Sequence, residues 1–149
     1  VNLIKTITAF TIAHSITLGF SVFNLIKLPQ IPVEILIALT IVYLGLEIKN
    51  SKRYEFTPWN LAFGFGLLHG LGFAGALTDI GIENDQVLLS LLFFNVGIEI
   101  GQLVLIPFIS LFIYLAHKLN FYKYSVTFSS YAVGSMGAYW AIDRFINLF

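Results

Sequence analysis

Residues 61–77 read LAFGFGLLHGLGFAGAL, and His69 is the one ionisable side chain in that run. An apolar stretch of this kind is typical of a helix that crosses a bilayer, which needs about 20 mostly apolar residues. Small residues recur in it at four-residue steps, at Ala62, Gly66, Gly70 and Ala74. Such a stripe lets a second helix approach closely inside a membrane. His69 adjoins the stripe, so we expect its imidazole to face a neighbouring helix rather than lipid.

The composition of the whole chain agrees with this interpretation. Of its 149 residues, 58% are hydrophobic and 11% are charged, against roughly 25% charged in a typical soluble domain. We therefore predict an all-α fold, an integral membrane helical bundle in contact with the lipid bilayer. The formal net charge is zero, which gives no indication of a nucleic-acid partner. The chain has no cysteine, so disulfides and thiolate metal sites are excluded.

Five apolar segments are long enough to be transmembrane helices. They cover approximately residues 3–26, 32–48, 60–78, 87–116 and 125–147. We expect them to form a single transmembrane domain over residues 1–149, with Pro107 as a candidate kink in the long fourth helix.

Basic residues predict the orientation of these helices, because cytoplasmic loops of membrane proteins are enriched in lysine and arginine. With residue 1 on the cytoplasmic side, the inner side carries Lys5, Lys49, Lys52, Arg53, Lys118 and Lys123. The outer side then carries only Lys27 and Arg144. The outer 78–86 connection is acidic, with Asp79, Glu83 and Asp85, and Glu34 begins the second helix on the same side. We therefore expect an acidic outer mouth.

Three ionisable residues lie deep in predicted helices. His14 and His69 are about halfway along the first and third helices. Glu99 is twelve residues into the fourth, ~18 Å from its outer end at ~1.5 Å per residue. A charged carboxylate at mid-membrane costs about 2.5–3.5 kcal/mol on insertion scales, so we expect Glu99 to be protonated, paired or metal-bound. We predict that the three groups meet at similar depth.

Two imidazoles and a carboxylate form a partial site for a divalent transition metal, because imidazole binds nickel, zinc, copper and iron well. Asn95, Glu99 and Gln102 are spaced i, i+4 and i+7, which is one face of a helix. The predicted ligands are therefore His14, His69 and Glu99, with Asn95 and Gln102 as weaker ligands or as hydrogen-bond partners of the ligands.

Simpler roles compete with this site. A single intramembrane histidine often hydrogen-bonds to a neighbouring helix, and Glu99 has the same option. Asp143 beside Arg144 is most simply an ion pair at a helix end, and His117 beside Lys118 is expected to be solvated.

Four blocks of the sequence resemble the HupE/UreJ family of bacterial membrane proteins. They are TAFTIAHSITL (8–18), VEILIALTIVY (33–43), FGFGLLHGLGFA (63–74) and FNVGIEIGQ (94–102). The blocks cover most of residues 5–105 in order, and the last helix matches only in general character. Members are multi-helix inner-membrane proteins named after accessory genes of hydrogenase and urease, which are nickel enzymes, and some are regarded as nickel permeases.

The resemblance implies a multi-pass protein of the bacterial inner membrane. By this resemblance, the family's two motif histidines correspond to His14 and His69. The acidic and amide residues of its FN block correspond to Asn95, Glu99 and Gln102, and the acidic residue of its VE block corresponds to Glu34. Family members usually begin with a further helix that bears a histidine, five residues and then Asp-His. This chain has no such motif, so we expect either an upstream segment or a shortened member, and a missing helix or other membrane subunits as partners.

Three functions follow from these patterns. The first is a permease for a divalent metal ion, with nickel favoured and zinc or cobalt as alternatives. The second is a structural or accessory subunit of a membrane complex, in which the polar residues join helices. The third is an intramembrane metal-dependent hydrolase, against which stand the short ligand set and the lack of an H-E-x-x-H motif. We expect no enzymatic activity.

Overall fold

The computed structural model describes residues 2–23, 25–49, 58–79 and 87–148, with side chains described over 3–23, 25–49, 58–73 and 89–148. The described residues form α1 (Asn2–Val22), α2 (Gln30–Lys49), α3 (Pro58–Asp79), α4 (Val87–Lys118) and α5 (Tyr122–Ile146). No strand occurs in these ranges, so the prediction of an all-α, five-helix chain is confirmed. Three stretches are long and apolar enough to cross a membrane, namely Leu3–Val22, Gln30–Lys49 and Leu89–Lys118.

The end of α1 differs from the prediction, which extended this helix to residue 26. The backbone amides of Leu25 and Ile26 both donate to the carbonyl of Phe20, at 2.9 and 3.2 Å. The first of these bonds spans five residues, as in a Schellman-type helix end, and replaces the four-residue bond of a continuing helix. The helix therefore ends at Val22, and His14 lies nearer to its outer end than the sequence suggests.

The closest helix pair is α1 with α3, and glycine makes this contact. A Cβ atom built at Gly66 would lie 2.5 Å from the carbonyl oxygen of Phe10 and 3.0 Å from the Cβ of Ala13. A Cβ atom at Gly70 would meet the carbonyl oxygen of His14 and the hydroxyl of Thr17. The small-residue stripe predicted on α3 therefore faces α1 at its two glycines, and any side chain there would separate the helices.

A second glycine contact joins α2 to α5. A Cβ atom at Gly45 would lie 2.7 Å from both the Cα and the backbone nitrogen of Gly134, and one at Gly137 would lie 2.8 Å from the amide nitrogen of Val42. The hydroxyl of Ser130 donates to the carbonyl of Gly45 at 2.6 Å, so a hydrogen bond crosses the same interface. The sequence blocks above do not include these α5 residues.

Contacts near the helix ends give the relative directions of the helices. The Lys5 ammonium lies 4.4 Å from the ring centroid of Trp59, so α1 and α3 begin on the same side. Glu34 and Arg144 form an ion pair, so the start of α2 lies beside the end of α5. Contacts between α2 and α3 join the two pairs, while α4 packs mainly against α1.

We expect Gly45→Ala to destabilise the bundle, because the new methyl group would meet the Gly134 backbone, which cannot rotate away. Overpacking of this kind costs roughly 1–3 kcal/mol. The measurement is the free energy of unfolding in mixed micelles titrated with sodium dodecyl sulfate. Gly64→Ala is the matched control, because a Cβ there meets nothing within 4 Å and stability should not fall. Equal stability of the two variants would contradict the close α2–α5 contact.

Candidate functional site

His14 is buried among aromatic rings contributed by three helices. Its side chain is 2% exposed, and it stacks on Phe10 of α1 with ring centroids 5.8 Å apart. Phe73 of α3 approaches it edge-on at 5.8 Å, and Phe94 of α4 lies at 6.3 Å. The three phenylalanines place an ionisable group in surroundings that offer it no polar contact.

Neither ring nitrogen of His14 has a hydrogen-bond partner among the described residues. Leaving a buried polar group unsatisfied costs about 1–3 kcal/mol, and most buried polar groups in proteins are therefore paired. One nitrogen of a neutral imidazole carries a lone pair, which is a metal ligand. The surroundings of His14 therefore leave the lone pair of its imidazole available to a ligand.

His69 has a polar partner on the neighbouring helix α2. Its Nε2 lies 3.1 Å from the hydroxyl oxygen of Thr40, which confirms that the side chain faces another helix. The hydroxyl of Thr40 also donates to the carbonyl of Ile37, at 2.6 Å. Because that shorter bond uses the single hydroxyl proton, we assign the donor of the Thr40–His69 bond to Nε2–H. A neutral His69 then keeps its lone pair on Nδ1.

Phe10 links the two histidines. Its ring stacks on His14 and meets His69 edge-on, with centroids 5.5 Å apart. The close approach at Gly70 explains this proximity, because it brings the backbone next to His69 against the carbonyl of His14.

Glu99 does not join the histidines. Its Oε1 accepts a hydrogen bond of 3.3 Å from the hydroxyl of Thr8. Thr8 precedes His14 by six residues, about 9 Å along the helix axis. Within the described ranges, no three His, Asp or Glu side chains are grouped so that they could hold a metal ion together.

The expectation that all three groups meet at similar depth is therefore wrong, because Glu99 lies beside Thr8, about 9 Å along α1 from His14. The metal assignment of these residues stays a prediction.

The two amide residues predicted for the site differ in their surroundings. Asn95 is 9% exposed, and its Nδ2 donates to the carbonyl of Leu91 at 2.8 Å. The side-chain oxygens of Asn95 and Gln102 are buried without a hydrogen-bond partner in the described part of the chain. Both oxygens are therefore free acceptors.

Asn95 and Glu99 line a groove of about 620 Å³ between α1 and α4. We call it the α1/α4 groove. Its lining is Thr11, Ile12, Ser15, Ile16, Gly19, Phe23, Leu91, Leu92, Asn95, Val96 and Glu99. Neither histidine lines it, so the histidine pair and the Asn95–Glu99 pair lie in separate places.

Glu34 is engaged in an ion pair between the start of α2 and the end of α5. Its Oε2 lies 2.5 Å from Nε of Arg144, and its Oε1 accepts a bond of 3.0 Å from Nε2 of Gln30. The predicted pair of Arg144 with Asp143 is longer, at 3.8 Å. Glu34 is therefore a structural partner of Arg144 in this conformation. Of the predicted acidic mouth, Glu83, Asp85 and the side chain of Asp79 lie outside the described residues.

Sequence reasoning missed several residues that shape the site. Thr40 and Thr8 are the hydrogen-bond partners of His69 and Glu99. Thr40 is the one serine or threonine of α2, in a mostly apolar run, which is a signal that could have identified it. The phenylalanines around His14 carry no such signal, because the sequence is rich in phenylalanine throughout.

Comparison with protein-family models gives one finding. The model described as HupE / UreJ protein matches residues 1–144, which is nearly the whole chain. Comparison with curated proteins and with solved structures gives no significant match.

We expect the Glu34–Arg144 pair to contribute to the stability of the α2–α5 contact. A double-mutant cycle with Glu34→Gln and Arg144→Gln should give a coupling energy of about 0.5–1 kcal/mol, because both side chains are partly exposed. The control cycle combines Asp143→Asn with Arg144→Gln, and its coupling energy should be near zero. A larger coupling for Asp143 than for Glu34 would reverse the assignment of partners.

Proposed function

The chain belongs to the HupE/UreJ protein family, and on that basis we propose that it is a permease for a divalent transition-metal ion. Nickel is the favoured cargo, ahead of cobalt or zinc, because metal transport and nickel fit the known role of the family. This family is one of accessory and transport proteins rather than a known family of enzymes. We place the protein in the bacterial inner membrane with residue 1 on the cytoplasmic side, which the distribution of basic residues favours.

The observation that carries the proposal is the histidine pair on α1 and α3, of which His14 is buried and His69 half-buried. The nitrogens of His14 have no partner in the described residues, and the bond from His69 to Thr40 leaves Nδ1 of His69 available. Imidazole nitrogen suits nickel, cobalt and zinc better than it suits magnesium or calcium. Two imidazoles on adjacent helices, each with an available nitrogen, therefore favour a transition metal as cargo.

Two imidazoles alone make a weak site, and weak binding suits transport. An ion that crosses the bundle must exchange part of its hydration shell for protein ligands and then leave. A closed structural metal site uses four protein ligands, so two would leave half of those positions to water. Acidic residues of the outer mouth would raise the local concentration of cations.

A role as an accessory subunit is the second candidate, and α4 favours it. The most apolar stretch of Leu89–Lys118 has no buried residue, so this helix offers an entire face to lipid or to another membrane protein. Stable co-purification with a partner, without metal uptake, would support this role. A hydrolase has less support, since catalytic zinc sites use three protein ligands and the described residues show no such group.

We expect His69→Ala to reduce nickel uptake by cells that express the protein, because it removes one of the two metal-binding nitrogens. The measurement is accumulation of radioactive nickel, normalised to the amount of protein in the membrane. His117→Ala is the matched control, because His117 is exposed and stacks on Tyr122, away from the bundle interior. Equal uptake by wild type and His69→Ala at equal expression would refute a role for His69.

Thr40→Val should leave uptake intact at high nickel concentration and weaken it at low concentration. The change removes the acceptor that holds His69 Nε2–H, and loss of such a partner typically costs about 10–100-fold in metal affinity or activity. The measurement is the nickel concentration that gives half-maximal uptake. Thr127→Val, on α5, is the control, because its hydroxyl bonds only to its own helix at Lys123.

A further inference from the structure

The α1/α4 groove presents hydrogen-bond acceptors and almost no donors. The Thr11 hydroxyl donates to the carbonyl of Ile7 at 3.1 Å, and the Ser15 hydroxyl donates to the carbonyl of Thr11 at 2.7 Å. The amide of Asn95 donates to Leu91 at 2.8 Å, and because a carbonyl can only accept, Nδ2 must be the atom that faces it. Thr11 and Ser15 thus use their donors within α1, and Asn95 uses one of its two amide protons within α4, so the second amide proton is the one donor left in the lining.

Apart from that proton, the remaining polar groups of the groove are oxygen lone pairs. They belong to Thr11, Ser15, Asn95 and Glu99, and the other lining residues are apolar or glycine. Asn95 is more than nine-tenths buried, and its Oδ1 has no partner in the described part of the chain. Asn95 and Glu99 are one helical turn apart on one face, so their oxygens are neighbours. The chemistry complementary to such a surface is a cation.

Glu99 supplies the one formal charge in this lining. Ion pairs among the described residues involve Glu34, Asp143 and Arg144, so no basic side chain there neutralises Glu99. On α1, the nearest base is Lys5, whose ammonium lies over Trp59, and His14 is enclosed by aromatic rings. An uncompensated carboxylate at this depth is unfavourable, so a ligand must bring positive charge.

We propose that the α1/α4 groove binds a monovalent metal cation of the sodium class, at Glu99 and Asn95 and separately from the histidine pair. Hard cations prefer oxygen ligands, which are the only kind this lining offers. A single positive charge balances the single carboxylate, whereas a divalent ion would leave one charge uncompensated in a low-dielectric setting. A proton on Glu99 is the competing ligand, because a protonated carboxyl group can donate to the Asn95 oxygen, and the pH arm of the test below separates it from sodium.

The inference does not depend on the transition-metal cargo. The sequence pattern groups Glu99 and Asn95 with the histidines, and the structure puts them in a different place. Sodium binding at the groove and nickel transport through the histidine pair can therefore fail or succeed independently. If His69→Ala abolishes nickel uptake and leaves sodium binding intact, the histidine pair and the groove are separate sites.

The test labels the purified full-length chain with dicyclohexylcarbodiimide, which reacts with buried carboxyl groups that are not shielded by a bound cation. Labelling is compared in sodium chloride and in choline chloride at equal ionic strength and fixed pH, and mass spectrometry locates the adduct. We expect an adduct on Glu99 in choline that falls about tenfold when sodium reaches roughly ten times its dissociation constant. Labelling of Glu47, which does not line the groove, should not depend on sodium.

Three results would overturn the proposal: no adduct on Glu99 in either salt, an adduct that responds to pH but not to sodium, or protection by nickel at far lower concentrations than by sodium. The last would put the groove on the path of the transition metal.

A variant provides a second measurement, since Asn95→Leu should raise the sodium concentration for half-protection by roughly tenfold. Ser110→Leu, exposed on the same helix, should not change it. Equal half-protection in Asn95→Leu and wild type would remove Asn95 from the site.

Discussion

Backbone contact at glycine holds this bundle together, and the histidine pair depends on it. Lipid tails are as apolar as leucine side chains, so helices in a bilayer gain little from burying apolar surface and associate through close packing and hydrogen bonds. Between α1 and α3, a methyl group at Gly66 would already meet the carbonyl of Phe10. A single larger side chain there would move His69 away from Phe10 and from His14.

The phenylalanines around His14 show how the same packing creates an unusual polar environment. Rings from α1, α3 and α4 converge on one imidazole, while the only described polar contact of the second imidazole is a threonine of α2. Four helices thus surround the two imidazoles, whose only hydrogen bond in the described residues joins His69 to Thr40. Retaining free ligands in a buried place is what distinguishes this arrangement from interhelical hydrogen bonding.

The number and type of helices could be predicted from hydropathy, and the α1-facing stripe from the spacing of Gly66 and Gly70. The position of Glu99 could not. Its level beside Thr8 follows from how α4 packs against α1, which hydropathy and helix length do not specify. The pairing of Arg144 with Glu34 rather than with its sequence neighbour Asp143 is a tertiary contact between α2 and α5, which local sequence does not encode.

The position of α1 has a mechanical consequence. This helix contributes to both places. One of its faces carries His14 towards α3, and another carries Thr11 and Ser15 into the groove with α4. Because both faces belong to one rigid helix, a small roll of α1 about its long axis changes the two environments together. Ligands on the two faces that favour different roll angles must therefore alter each other's affinity by the same factor. Because α1 packs less extensively against α4 than against α3, we expect the contacts on the groove side to change first.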